Sequence, residues 1–169
     1  MKKTKKRERV LEFIVMGIYL LFLCWLILFK LADSIDKISS GRGVNLIPFY
    51  YDQYASTRFH WHDIVYNVIV FIPAGFYFTA YGNKKLISGV IFCALLSLSF
   101  ELLQWIFAIG ASDITDWITN TVGGILGAEM YFVLEKMFKS RAVLIVSIIG
   151  AILEVLFISL IIVLFINNL

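Results

Sequence analysis

Asp63 and Asn67 stand four residues apart, Glu101 and Gln104 three apart, and Asp113, Asp116 and Asn120 follow at intervals of three and four. Each spacing places its members on one face of a helix. Carboxylates accept hydrogen bonds from amines, amides and hydroxyls, and two with separated proton affinities can serve as general acid and base. On that chemistry Glu101, Asp116 and Asp63 are the catalytic candidates. His60 and His62 flank Trp61, and such a pair beside Asp63 could ligate zinc or accept a proton. No third ligand follows at metal spacing, and no loop motif supports a hard cation on the carboxylates. Neither a metal nor a cofactor is therefore expected, and the plainer reading of the histidines is an interfacial pair beside a tryptophan anchor.

The elements that must hold these residues are apolar. The chain has 169 residues, 60% of them hydrophobic and 16% charged, with a mean hydropathy of +0.87. Soluble domains are about 45–50% apolar and about 25% charged, and disorder requires low hydrophobicity, so both classes are excluded. Five apolar stretches occupy residues 11–29, 64–81, 86–109, 117–134 and 142–166. Roughly 20 residues cross the ~30 Å hydrocarbon layer, and in lipid the backbone must satisfy itself within a helix. The expected fold is an all-α, polytopic membrane bundle of about five helices forming a single domain over residues 1–169. The basic start followed by an apolar run resembles a signal peptide, but no small-x-small cleavage site follows, which favours a retained first helix. Cys24 and Cys93 lie at different depths, too far apart for a disulfide.

Loop cations orient the bundle. With the N-terminus in the cytoplasm, eleven fall on inner segments: six before Val10, then Lys84, Lys85, Lys136, Lys139 and Arg141. Four fall outside: Lys30, Lys37, Arg42 and Arg58. The positive-inside rule therefore predicts an N-in, multi-pass cell-membrane protein. Its basic residues are topology signals and contacts to anionic headgroups rather than a nucleic-acid patch. The outer loop, residues 30–62, carries Phe49, Tyr50, Tyr51, Tyr54, Phe59 and Trp61, which favour the headgroup zone.

In this orientation Asp63, Asn67, Glu101, Gln104, Asp113, Asp116 and Asn120 share the outer-leaflet level. Glu101 lies about eight residues from the outer end of its stretch, roughly 12 Å deep. A carboxylate at the bilayer centre costs about 2.5–3.5 kcal/mol on insertion scales, so Glu101 is expected to face the bundle interior. One Asn or Gln alone reads as interhelical glue. Four carboxylates repel one another and require cations, protons or a ligand, which favours a pocket. Arg58 and Arg42 are candidate counter-charges. Gly123 and Gly127 form a G-x-x-x-G on the same face and predict close helix packing with the fourth helix central. Pro73 predicts a kink in the second helix. Glu154 is expected to hydrogen-bond within the bundle, and Glu12 to reach the inner surface.

These residues resemble the VanZ-like family. The matching pieces run in order: Asn45-Leu46-Ile47-Pro48-Phe49; Asp63, Asn67 and Phe71-Ile72-Pro73-Ala74-Gly75; Phe100-Glu101 and Gln104; then Asp113-Ile114-Thr115-Asp116, Asn120 and Thr121-Val122-Gly123-Gly124. They span Asn45 to about Gly127, half the chain. Many family members place an arginine three residues before the first aspartate of the last motif, where this chain has Gly110; Arg58 is the candidate substitute. The resemblance implies an integral membrane protein associated with teicoplanin or lipoglycopeptide resistance in Gram-positive bacteria, and brings no established reaction.

The leading expectation is a membrane accessory protein whose outward-facing polar pocket engages an acylated glycopeptide antibiotic or a lipid-linked cell-wall precursor. Asn45, Arg58, Asp63, Asn67, Glu101, Gln104, Asp113, Asp116 and Asn120 are the candidate binding residues, with membrane lipids as the surrounding partners. An intramembrane enzyme acting on a lipid headgroup through paired carboxylates is the first alternative; no nucleophile motif accompanies them. A small transporter or flippase is the second. The inner halves of the polar helices are nearly free of charge, which favours a blind pocket over a path.

Overall fold

A computed structural model describes residues 2–29, 43–50 and 61–167. The chain runs α1 (Lys2–Phe29), β1 (Val44–Asn45), α2 (Trp61–Tyr81), α3 (Leu86–Phe107), β2 (Ser112–Asp113), α4 (Ile114–Phe138), a 3-10 turn (Lys139–Arg141) and α5 (Ala142–Asn167). The fold is all-α, as the hydropathy demands. Arg42, Arg58, His60 and the aromatic residues Tyr51, Tyr54 and Phe59 lie outside the described residues.

Among the described residues four segments are long and apolar enough to cross a membrane: Thr4–Phe29, Trp61–Tyr81, Leu86–Phe107 and Ile114–Leu164. The fourth is 51 residues long, about twice the length of one crossing, and contains both α4 and α5. Five apolar helices are present, but the last two are not separated by a polar loop. The cations Lys136, Lys139 and Arg141 are absorbed into the end of α4 and the 3-10 turn. Lys139 sits at φ 53°, a left-handed conformation that ends the α4 ladder.

The chain packs as two compact units. One comprises α1 to Phe22 with the chain from Leu134 onward; in it Phe22 meets Phe157 edge-on, with ring centroids 5.3 Å apart. Glu154, expected to hydrogen-bond within the bundle, has no hydrogen-bond partner among the described residues. The other unit, Leu23–Val133, holds α2, α3, most of α4 and every described candidate site residue.

In that second unit the connection from α2 to α3 is tight, with Asn83 and Lys84 both left-handed at φ 60° and 53°. Its core is Phe71, Phe76, Tyr77, Cys93, Phe100 and Tyr131, all buried. Cys24 and Cys93 are both free. α4 lies directly on its neighbours. A Cβ on Gly127 would strike the carbonyl oxygen of Ile72, and one on Gly123 that of Val68; Gly75 faces the backbone of Gly124. The Gly123/Gly127 spacing therefore does what its pattern predicts, and the close contact is backbone against backbone. Pro73 stays inside α2.

Candidate functional site

The site is built around the start of α4. Asp113 stands immediately before the helix, and its Oδ1 accepts the backbone N–H of Thr115 at 2.7 Å. This is an N-cap: the side chain takes up a donor that the first helical turn cannot satisfy. The cap explains why α4 begins at Ile114, three residues earlier than the apolar run suggests. The N–H of Asp113 in turn donates to Glu101 Oε2 at 2.8 Å, and Ser112 Oγ donates to the Glu101 carbonyl at 2.7 Å. Glu101 on α3 thus ties down the α3–α4 connection and is 7% exposed. It faces the protein, as its cost in lipid requires. With α3 ending at Phe107, Glu101 lies about 9 Å from the helix end at 1.5 Å per residue.

A second segment docks on this corner. β1 pairs in parallel with β2, Val44 opposite Ser112 and Asn45 opposite Asp113. Asn45 Nδ2 donates to Asp113 Oδ2 at 3.1 Å, and its Oδ1 accepts the N–H of Ile47 at 3.1 Å, closing an Asx turn. Phe49 N–H donates to Thr115 Oγ1 at 3.0 Å. The Asn-Leu-Ile-Pro-Phe run is therefore a strap across the N-terminus of α4.

The other candidates go elsewhere. Asn67 Nδ2 donates to Asp116 Oδ1 at 2.8 Å and lies 3.4 Å from Thr119 Oγ1, joining α2 to α4. Asn120 Nδ2 donates to Ser97 Oγ at 2.9 Å, joining α4 to α3. Gln104 Nε2 donates to the Ile27 carbonyl at 2.9 Å, capping a carbonyl in the last turn of α1. Asn120 and Gln104 are 1% and 2% exposed, and among the described residues each leaves its side-chain oxygen without a hydrogen-bond partner. Asp63 is exposed in the first turn of α2, where a carboxylate suits the helix dipole. His62 is also exposed, its ring 6.4 Å from that of Tyr66. Among the described residues no group of three His, Cys, Asp or Glu could hold a metal ion.

The Asn67–Asp116 link is a measurable α2–α4 tie. A double-mutant cycle on Asn67→Ala and Asp116→Ala is expected to give a coupling of about 1 kcal/mol in detergent melts, the scale of polar contacts between membrane helices. Strict additivity would show that the pair does not join the helices.

Beside the strap lies a cavity of about 250 Å³. Leu98, Leu102 and Trp105 of α3 form one wall, Ile114 and Trp117 of α4 another, and Val44 and Leu46 of the strap a third. Asn45, Glu101, Ser112 and Asp113 also line it. Trp117 is held in place by its indole N–H, which donates to the Ala94 carbonyl at 2.9 Å. Of the nine candidate binding residues, three line the cavity: Asn45, Glu101 and Asp113. Asp63, Asn67, Gln104, Asp116 and Asn120 do not, and Arg58 lies outside the described residues. Sequence reasoning missed the apolar walls and the hydroxyls of Ser97, Ser112, Thr115 and Thr119. Ser97 could have been found, because it lies four residues before Glu101 on the same face of α3.

Residues 16–139 match the family described as VanZ/LLP1. The chain belongs to that family. It is 38% identical over 130 residues to Protein VanZ of Enterococcus faecium, covering 75% of this chain and 77% of that one. No solved structure matches. The VanZ/LLP1 match runs from within α1 to the 3-10 turn. It takes in the strap, the Glu101–Asp113 corner and the cavity, and leaves out α5.

Proposed function

We propose that this VanZ/LLP1 protein is a multi-pass cell-membrane accessory protein of teicoplanin and lipoglycopeptide resistance. In this reading the cavity beside the strap lies in the outer leaflet and engages an amphiphile, either the acylated antibiotic or a lipid-linked cell-wall intermediate. One observation carries it: a cavity of about 250 Å³ with almost wholly apolar walls lies against the strap, with Asn45, Glu101 and Asp113 among the residues that line it. A chain buried between Leu98, Leu102, Trp105 and Trp117 gains roughly 25 cal/mol per Å² of apolar area removed from water. Asn45 and Asp113, next to these walls, are the polar groups nearest to the head of such a molecule.

The test is teicoplanin susceptibility in a sensitive Gram-positive host expressing the chain. Leu102 lines the cavity and is half exposed, so Leu102→Trp adds bulk there at little cost to folding. It is expected to return susceptibility to that of cells without the protein, at an unchanged level in the membrane. Leu153→Trp, on the exposed face of α5, serves as the control and should retain resistance. Full resistance with Leu102→Trp would remove the cavity from the function. A changed lipid profile on expression would instead favour the enzyme reading.

A further inference from the structure

We infer that one face of the basic end of α1 is a binding site for a single anionic phospholipid, its phosphate held by Lys5, Lys6 and Arg9 and an acyl chain lying along Val10 and Phe13. This site belongs to the other compact unit and does not depend on what the cavity beside the strap holds.

α1 is long and apolar enough to cross a membrane, and its cations precede the apolar run. By composition alone they are a topology signal, for which the face they occupy is irrelevant. The structure adds the face. A cavity of about 420 Å³ is lined by Lys5, Lys6, Arg9, Val10 and Phe13. These five fall within about 140° of one another around the helix, whereas Arg7 is about 160° from Arg9. Among the described residues no Asp or Glu lines this cavity. The side chains of Lys5, Lys6 and Arg9 are exposed, and among the described residues none of them makes an ion pair or a hydrogen bond.

Three unpaired cations with no acid among them suit an anion. A guanidinium forks onto phosphate oxygens, and two ammonium groups beside it add charge-assisted hydrogen bonds. The rest of the lining makes the anion a lipid. Val10 stands one turn beyond Lys6, and Phe13 one turn beyond Arg9; each is 50% exposed. Over about 12 Å of helix the lining passes from cations to apolar side chains, as a phospholipid passes from phosphate to acyl chain. A soluble phosphate would leave Val10 and Phe13 uncovered. The volume falls within the ~300–1,000 Å³ usual for ligand sites.

Attraction to a charged membrane surface at large cannot tell Arg7 from Arg9. The two are about 3 Å apart along the axis, well inside the ~8 Å screening length. A site on one face can. The full chain in dodecyl maltoside is titrated with dioleoyl phosphatidylglycerol or dioleoyl phosphatidylcholine, and bound lipid is counted by native mass spectrometry. The first phosphatidylglycerol is expected to half-saturate at about tenfold lower concentration than the first phosphatidylcholine. Arg9→Gln should weaken phosphatidylglycerol binding about fivefold, the worth of one cation against an anionic lipid. Arg7→Gln removes the same charge and should stay within about twofold of the native chain. Both side chains are exposed, so both variants should melt with the native chain. Glycerol 3-phosphate, which has the phosphate and no acyl chain, should not displace the lipid at about tenfold excess. Equal binding of the two lipids overturns the site. So does an equal loss from Arg7→Gln and Arg9→Gln, the result that diffuse charge would give. Displacement by glycerol 3-phosphate overturns the assignment to a lipid.

Discussion

Gly127→Val is expected to leave little folded protein in the membrane. The first atom of any side chain at 127 would strike the carbonyl oxygen of Ile72, with Phe76 N at 2.8 Å and the Ile72 carbonyl carbon at 2.9 Å. These are backbone atoms of α2, which cannot rotate aside as a side chain can. α4 must instead move off α2, and the neighbouring contacts go with it: Gly123 lies against Val68 and Phe71, Gly75 against Gly124. Overpacking of a close-packed core typically costs 1–3 kcal/mol, and a clash between two helix backbones lies at or beyond the top of that range. Gly127→Ala, the smallest probe, is expected to cost about 3 kcal/mol and to lower the melting midpoint in detergent by roughly 6–12 °C. Gly17→Ala is the control, since nothing lies within 4 Å of a Cβ at that position. It should melt with the native chain. A Gly127→Val protein with native expression and a native melt would show that α2 and α4 do not pack in this way.

The helices are legible because the bilayer leaves few alternatives. A run of about 20 apolar residues has to be a helix, and its polar neighbours mark where it stops. The expected starts and ends of α2, α3 and α5 fall within three residues of those observed. α4 was harder to place: its first turn is polar, and its true start is set by the capping bond of Asp113 to Thr115 rather than by hydropathy. Its end is obscured because the cations near residue 139 sit in helical and 3-10 backbone, so that α4 and α5 form one apolar run.

The site was legible only in part. The spacing of Glu101, Asp113 and Asp116 marks residues that share one end of their helices, and hydropathy turns them inward. What spacing does not give is the partner of each. Asn45 and Asp113 are 68 residues apart, and the parallel pairing that joins them is two residues long on each side. No periodic pattern encodes so short a ladder. The cavity walls are less visible still. Leu98, Leu102 and Trp105 have the composition of any lipid-facing surface, and only the strap across α4 makes them one side of a groove.

Asp113→Ala is expected to release that strap and abolish resistance, with a moderate loss of stability. The substitution removes the acceptor of Thr115 N–H, worth about 0.5–2 kcal/mol as a helix cap. It also removes the acceptor of Asn45 Nδ2, worth about 0.5–1.5 kcal/mol. The backbone bond from residue 113 to Glu101 survives, so the α3–α4 corner holds. The Asn45–Phe49 segment keeps only its β pairing and the Phe49–Thr115 bond, and Val44 and Leu46 no longer form a fixed wall. The melt should fall by several degrees, well short of the Gly127→Val effect, because no helix–helix contact is disturbed. Cleavage by added protease near residues 43–50 should accelerate, reporting the strap directly. Asp113→Asn separates the two roles of the carboxylate. Its carboxamide oxygen can still cap Thr115, but its amide nitrogen cannot accept from Asn45. Turning the Asn45 amide over to compensate would forfeit the bond from Ile47 N–H. The asparagine variant is therefore expected to hold the helix start and loosen the strap, with protease sensitivity between those of the native chain and Asp113→Ala. If Asp113→Ala left the strap as protected as in the native chain, the side-chain tie would not be what holds it. The wall of the cavity would then depend on the β pairing alone.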